Sequence, residues 1–333
     1  MRLTLLAAGI VALGLAGHAQ GQLIFSEDFD DGSAASRWTS PIVDAETSAF
    51  DGSVDYAYDY GALGVPAAPG GGASTGVLMQ VNLTDDTARG EGESVGIIPT
   101  VAAAMLPSGS YSVTMDVFFN VEAQSAGTTE YGIFGVHTAA VNAPGDASLQ
   151  DDVPFRFGLS NGNGLAWSAT GDAGAADDFY RFEDAGNANA GSQVGLGSYD
   201  NLPAGAIPGV STGQGAAGPA GAWVEVELVR VGDKVAFKMN GYEIDSIVDA
   251  SNAFSGGSIM IGYSDPFNSA GTPDLPVGPD PDPFDNIPYG DQYPNLAHFI
   301  IFDNVKITQI VPEPSTALLG LCGLVLWGVR RRG

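Results

Sequence analysis

The sequence predicts an all-β fold, an antiparallel β-sandwich with long Gly/Pro-rich loops. Three observations predict it. Segments that alternate apolar and polar residues recur along the chain, separated by Gly-, Asn- and Asp-containing turns. Gly (47) and Pro (20) together supply a fifth of the 333 residues, which favours turns over helices. Between the two ends, no segment spaces its apolar residues as an amphipathic helix does.

Taken in order, residues 1–19 read as a signal peptide that begins as a helix. Arg2 precedes an apolar stretch over 3–15. Gly17-His18-Ala19 then puts small residues at the two positions a signal peptidase inspects, so cleavage is expected before Gln20. Strands are expected over 22–29, 77–83 and 110–121. In the last, Tyr111, Val113, Met115, Val117, Phe119 and Val121 share one face, and Ser112, Thr114, Asp116 and Asn120 the other. Shorter strands are expected over 131–137, 153–159, 164–170 and 179–182. The clearest unit is a three-stranded meander over 223–231, 234–239 and 242–248. Its turns are Gly232-Asp233 and Asn240-Gly241, and Asn-Gly readily takes the positive φ values of a tight hairpin. Strands over 257–263 and 298–308 complete the set. The segments 61–75, 186–222 and 264–295 read as long loops. Residues 20–310 form one β-sandwich domain, and 311–333 a separate tail.

Composition narrows the function classes. The chain carries 12 Lys+Arg against 39 Asp+Glu, a formal charge of −27. Four of the basic residues, Arg2, Arg330, Arg331 and Arg332, lie in the ends. Such a surface repels nucleic-acid phosphates and anionic lipid, and attracts cations, calcium first among them outside the cell. Cys322, in the tail, is the only cysteine, so the domain is held without disulfides.

The tail has three parts in a fixed order. Val311-Pro312-Glu313-Pro314-Ser315 is followed by an apolar run over 316–329, and Arg330-Arg331-Arg332 ends it. A 14-residue helix spans about 21 Å against a hydrocarbon core of about 30 Å, which suits a temporary anchor. The arginines belong on the cytoplasmic side and everything before Pro312 outside. This pattern resembles the PEP-CTERM sorting tail of Gram-negative bacteria. The resemblance implies an inner-membrane-anchored precursor cut by an exosortase, in a host that makes extracellular polysaccharide. The final place is then the cell surface or extracellular matrix.

A second resemblance concerns the fold. Phe25-Ser26-Glu27-Asp28-Phe29-Asp30-Asp31-Gly32 followed by Trp38, the meander from Trp223 to Gly241, and Ser258-Ile259-Met260-Ile261-Gly262-Tyr263 with Ile301-Phe302-Asp303-Asn304-Val305-Lys306-Ile307 stand in the order of a concanavalin A-like, laminin-G-type β-sandwich. That resemblance implies a jelly roll whose first and last strands are neighbours. The galactose-binding-like jelly roll is the rival architecture.

Candidate chemistry follows from these placements. Glu27, Asp28, Asp30 and Asp31 would meet Asp303 across adjacent strands and offer oxygens to a structural calcium ion. Asp280, Asp282 and Asp285 are a second such group; turn-forming, solvated acids are the alternative for both. Trp167, with Tyr180 near it in sequence, is the ligand-stacking candidate, with core packing as its other use. No catalytic residues are expected. Glu243-Ile244-Asp245-Ser246-Ile247 begins the Glu-x-Asp-x-Glu spacing of some polysaccharide hydrolases and lacks the third acid, and Glu225 and Glu227 are a lone pair. His137 and His298 read as structural, and no Gly-x-Ser-x-Gly elbow is present. The expectation is an exported, exosortase-processed, non-enzymatic protein that binds glycan through a sandwich. The alternatives are a glycoside hydrolase of the concanavalin A-like class and a purely structural envelope protein.

Overall fold

A computed structural model describes residues 21–45, 50, 52–81, 83, 93–120, 130–137, 164–171, 176–183, 193–207, 218–219, 221–252, 254, 256–265 and 298–311. The signal peptide, the tail from Pro312 on, the strand expected over 153–159 and the acids Asp280, Asp282 and Asp285 lie outside these residues. Leu23–Gln309 is one compact unit.

The described residues form fifteen strands. They are β1 (Gly21–Glu27), β2 (Ile42–Ala45), β3 (Ser53–Asp59), β4 (Thr75–Gln80), β5 (Glu93–Ile97), β6 (Tyr111–Asn120), β7 (Tyr131–His137), β8 (Gly164–Thr170), β9 (Phe179–Glu183), β10 (Gln193–Gly195), β11 (Trp223–Val231), β12 (Lys234–Met239), β13 (Tyr242–Val248), β14 (Ser258–Asp265) and β15 (Phe299–Ile310). The helical pieces among the described residues are single 3-10 turns such as Tyr60–Leu63. Two antiparallel sheets result. The first runs β13-β12-β11-β6-β15-β4-β3, with β1 also on β15, and the second β10-β9-β8-β7-β14-β5-β2. The all-β sandwich is therefore what the chain forms, and its first and last strands are neighbours.

Period-two patterning decides which residues enter the space between the sheets. From the first sheet come Tyr111, Val113, Met115, Val117 and Phe119 of β6, Val224, Val226 and Leu228 of β11, and Ile300, Phe302, Val305 and Ile307 of β15. The second sheet contributes Phe134, Trp167, Ile259, Ile261 and Tyr263 among others. Phe134 stacks on Phe237 at 5.7 Å across that space. Gly132 is required there, because a Cβ would stand 2.7 Å from Phe134 and 2.9 Å from Ile300. The meander forms as predicted, with Asn240 (φ 47°) and Gly241 (φ 78°) both left-handed in its second turn.

The two ends of the sandwich differ. At one, β6 begins beside the end of β11, and the Leu106 N–H donates to the Gly257 carbonyl just before β14. At the other, β6 ends, β15 begins and β7 begins. There His298 Nδ1 meets Glu130 Oε1 at 2.6 Å, joining the sheets through two buried residues. His298 thus has the structural place expected for it.

Candidate functional site

The acids after β1 separate into two groups. Glu27 is buried, and its carboxylate oxygens accept from the Arg37 guanidinium at 2.6 and 2.7 Å and from the Phe29 N–H at 3.1 Å. Asp31 accepts from Arg37 at 2.8 and 2.9 Å. The Arg37 hydrogen bond holds the Asp31 carboxyl well below the usual carboxylate range, and Glu27 foremost holds the guanidinium above its own. Asp28 Oδ1 accepts the Asp30 N–H at 3.3 Å within the turn. This group is a clamp that closes the turn against Trp38, whose ring stacks on Phe29 at 5.8 Å.

The second group lies on the outer face of the first sheet. Asp116 of β6 faces Asp303 of β15 in register, and Glu225 of β11 flanks Asp116 on its other side. Direct cross-strand partners stand about 5 Å apart at Cβ, so like charges here repel. The 60–73 segment straps down over the row. The Tyr60 hydroxyl donates to Asp303 Oδ2 at 2.8 Å, the Gly70 N–H to Asp116 Oδ2 at 2.7 Å, and the Ala73 N–H to Asp30 Oδ2 at 2.9 Å. Asn304 sits at a bulge of β15 with φ 51°, and donates its N–H to Asp303 Oδ1 at 2.6 Å and its amide to Asp116 Oδ2 at 3.0 Å. Gly70 is needed for this approach, since a Cβ would lie 2.6 Å from Asp116 Oδ2. Beneath the same strap is an apolar row: Phe118, Phe299, Ile301 and Leu78 with Tyr60 and Val65 over them. Trp223 packs edge-on to Tyr60 at 5.2 Å and donates its indole N–H to the Pro66 carbonyl at 2.7 Å.

Burial dominates the electrostatics of the row. It pushes the Asp303 carboxyl up to about 7; hydrogen bonds from Tyr60 and Asn304 oppose the rise, and the charges of Asp30 and Asp116 add to it. Burial likewise raises Asp116, against the Gly70 and Asn304 hydrogen bonds and Lys306. A carboxyl raised in the folded state stabilises fully below its unfolded value near 3.8, and that stabilisation is lost as pH rises through about 7. Asp303→Asn keeps the shape and removes the charge. In metal-free buffer its urea midpoint is expected to exceed that of the parent at pH 8 and to vary less between pH 5 and 8. A parent midpoint that climbs from pH 5 to pH 8 contradicts the assignment.

The structure brings Asp30 and Asp303 together, with Asp116 and Asn304, and leaves Glu27 with Arg37. Among the described residues no group of three or more His, Cys, Asp or Glu is placed to hold a metal ion. Both members of the expected stacking pair are buried. Trp167 is wholly buried, stacked on Phe237 at 5.9 Å, with its N–H on Asp245 Oδ2 at 2.8 Å. Ser168, not Trp167, faces Tyr180 in register, so the two rings point to opposite faces of the second sheet. Tyr180 is itself 7% exposed, edge-on to Tyr131 at 5.6 Å. Three of the remaining acid candidates are in ion pairs, Asp245 with Arg181 at 2.8 Å, Glu243 with Lys234 at 2.6 Å, and Glu227 with Lys238 at 3.0 Å, while Glu225 flanks Asp116 on the outer face.

Sequence reasoning missed Tyr60, Arg37 and the part played by Asp116. A signal for Arg37 existed: only eight basic residues lie outside the two ends, in a chain with 39 acids, so an acid partner was to be expected. Asp116 was visible as an acid on an outer strand face, but its neighbour lies on a strand far along the chain.

No family model matches the chain, and no curated protein matches it. Among solved structures it is similar to a protein of unknown function with a galectin-like fold from Bacillus subtilis, at 10% identity, over 88% of this chain and 100% of that one, with a TM-score of 0.43. An endo-1,3-beta-glucanase from Streptomyces sioyaensis gives 13%, 89% and 99%, with 0.38. A carbohydrate binding module from Bacillus subtilis gives 9%, 69% and 84%, with 0.30. All are distant; the fold is established by the two sheets themselves, and no ligand or activity follows from these neighbours.

Proposed function

We propose that the chain is an exported, exosortase-processed β-sandwich of the cell surface or extracellular matrix of a Gram-negative bacterium, non-enzymatic and glycan-binding. The observation that carries this reading is the order of the tail: Val311-Pro312-Glu313-Pro314, an apolar run, then Arg330-Arg331-Arg332. The signal-like start and the acidic balance support it. The non-enzymatic part is supported by the state of the acids. A glycosidase needs two carboxyls flanking an open substrate groove. Asp116 and Asp303, the pair with raised carboxyls, are 5% and 1% exposed and capped by backbone N–H and hydroxyl donors of the strap.

A calcium ion enters this reading as a structural ion that the carboxylates of Asp30 and Asp303 would hold; Glu27 is committed to Arg37. Exosortase and signal peptidase are the processing partners, extracellular polysaccharide the ligand class. Glu313→Ala is expected to leave an uncut precursor in the inner-membrane fraction while the parent chain yields a product without residues 316–333. Identical products in identical fractions overturn the sorting reading.

A further inference from the structure

The exposed large apolar side chains of the described residues are Leu23, Val194, Val231, Val248 and Val311, and all but Val194, on β10 of the second sheet, belong to one end of the first sheet. Val231 is 60% exposed, Val248 78% and Leu23 55%. Val231 pairs with Lys234 and Lys234 with Val248, so the two valines belong to one row at the ends of β11, β12 and β13. The row before it holds Arg230, Tyr111 and Gln309 in register, so β15 leaves the sheet at this same end. Leu23 joins them through the direction of β1. Strand β4 occupies β15 only along Ile300–Phe302, which leaves the later part of that edge for β1. Asp30, three residues past β1, meets the Ala73 N–H and lies at Gly72, which stands beside Asn304 near the middle of β15. β1 therefore runs antiparallel to β15, and its start lies beside the end of β15. Single exposed apolar residues are ordinary on a soluble surface; here they gather where the chain turns toward its apolar tail.

Chain length fixes how far that end can stand from a bilayer. Five residues, 311–315, separate the end of β15 from Thr316, the first residue of the apolar run. Fully extended they reach about 18 Å. The polar layer above the hydrocarbon is itself roughly 5–7 Å thick on each side. The tether thus lets the end of β15 stand no more than about 11–13 Å above the polar layer for as long as the run is anchored. At this end Lys234 is paired with Glu243 and Arg230 with Asp249, and the turn between β11 and β12 adds the exposed acid Asp233. The net charge of −27 disfavours anionic lipid.

We propose that the end of the first sheet bearing Val231, Val248 and Leu23 is a membrane-seating surface, which rests by apolar contact on zwitterionic lipid in the anchored precursor. The inference rests on the anchor reading of the tail. Seating turns the opposite end outward, where β4 and β6 end and β15 begins. That is the end free to meet matrix polymer.

The test uses the full chain with Cys322→Ser and Glu313→Ala, reconstituted in phosphatidylcholine vesicles. One polarity-sensitive fluorophore is placed at Val231→Cys, Val248→Cys or Asn201→Cys. Asn201 is exposed beside Tyr199, which is tied to Asp178 and Thr170 at the opposite end. Emission from positions 231 and 248 is expected to shift to the blue and to be quenched by nitroxide-bearing lipid, while position 201 stays aqueous and unquenched. If the chain floats with the vesicles and all three positions behave alike, the seating surface is wrong and the anchor stands. If the chain does not float with the vesicles, the anchor reading and this proposal fall together.

Discussion

Replacing Asp249 by alanine is expected to cost about 3–5 kcal/mol of stability, the usual effect of leaving one member of a buried ion pair behind. Arg230 comes off the inward-facing series of β11, one step beyond Leu228, so its guanidinium enters the end of the core. Its side chain is 2% exposed and that of Asp249 1%, at 2.6 Å. Asp249 also accepts from the Phe254 N–H and the Ser251 hydroxyl, both at 3.0 Å, so the loop after β13 is fastened through the same carboxylate. The alanine variant strands a buried cation and frees the loop together. Arg230→Met with Asp249→Leu removes both charges and is expected to be far milder. Urea unfolding of the three proteins decides the matter. A single-variant loss within about 0.5 kcal/mol, as for a surface residue, contradicts the account.

Trp167→Ala is expected to cost about 3–5 kcal/mol by transfer and cavity terms. The ring fills the space between β8 and β12 against Phe237, and its N–H shares Asp245 with Arg181. Trp167→Phe keeps the stacking and removes the donor, so its loss should be smaller. The same comparison separates a core role from a ligand role. In a core role the unfolding midpoint of Trp167→Ala falls and glycan affinity per folded molecule is kept. Unchanged stability with lost binding would return Trp167 to the ligand.

The parts of the fold legible in sequence are those whose pattern is local. β11, β12 and β13 were readable to the residue, because Gly232-Asp233 and Asn240-Gly241 punctuate clean alternation. β6 was readable because its inward series is apolar throughout. β3 was not. Val54, Tyr56 and Tyr58 do alternate with Asp55, Ala57 and Asp59, but the strand is short and acidic, only half buried, and lies at the edge of the sheet with β4 as its partner. β5, with Glu93 and Gly96, is made by β14 on one side and β2 on the other. β10 is three residues long, too short for any period.

The site was half legible for the same reason. The neighbouring of first and last strands predicted that Asp30 and Asp303 would approach each other. It could not show that Arg37, ten residues after Glu27, would take that carboxylate, nor that Tyr60 would reach Asp303 across 243 residues of chain. Trp167 and Tyr180 are close in sequence, but the register of β8 on β9 sends them to opposite faces.

The most direct measurement is a screen of the processed chain against extracellular and plant-type polysaccharides, with and without EDTA, followed by analysis of each bound polymer for new ends. Retention of at least one polymer, recovered at its original length, is the predicted result, and loss of that retention in EDTA would place the calcium ion in the binding-competent state. Retention of none under either condition, or recovery of shortened chains, would contradict a glycan-binding protein without catalytic activity.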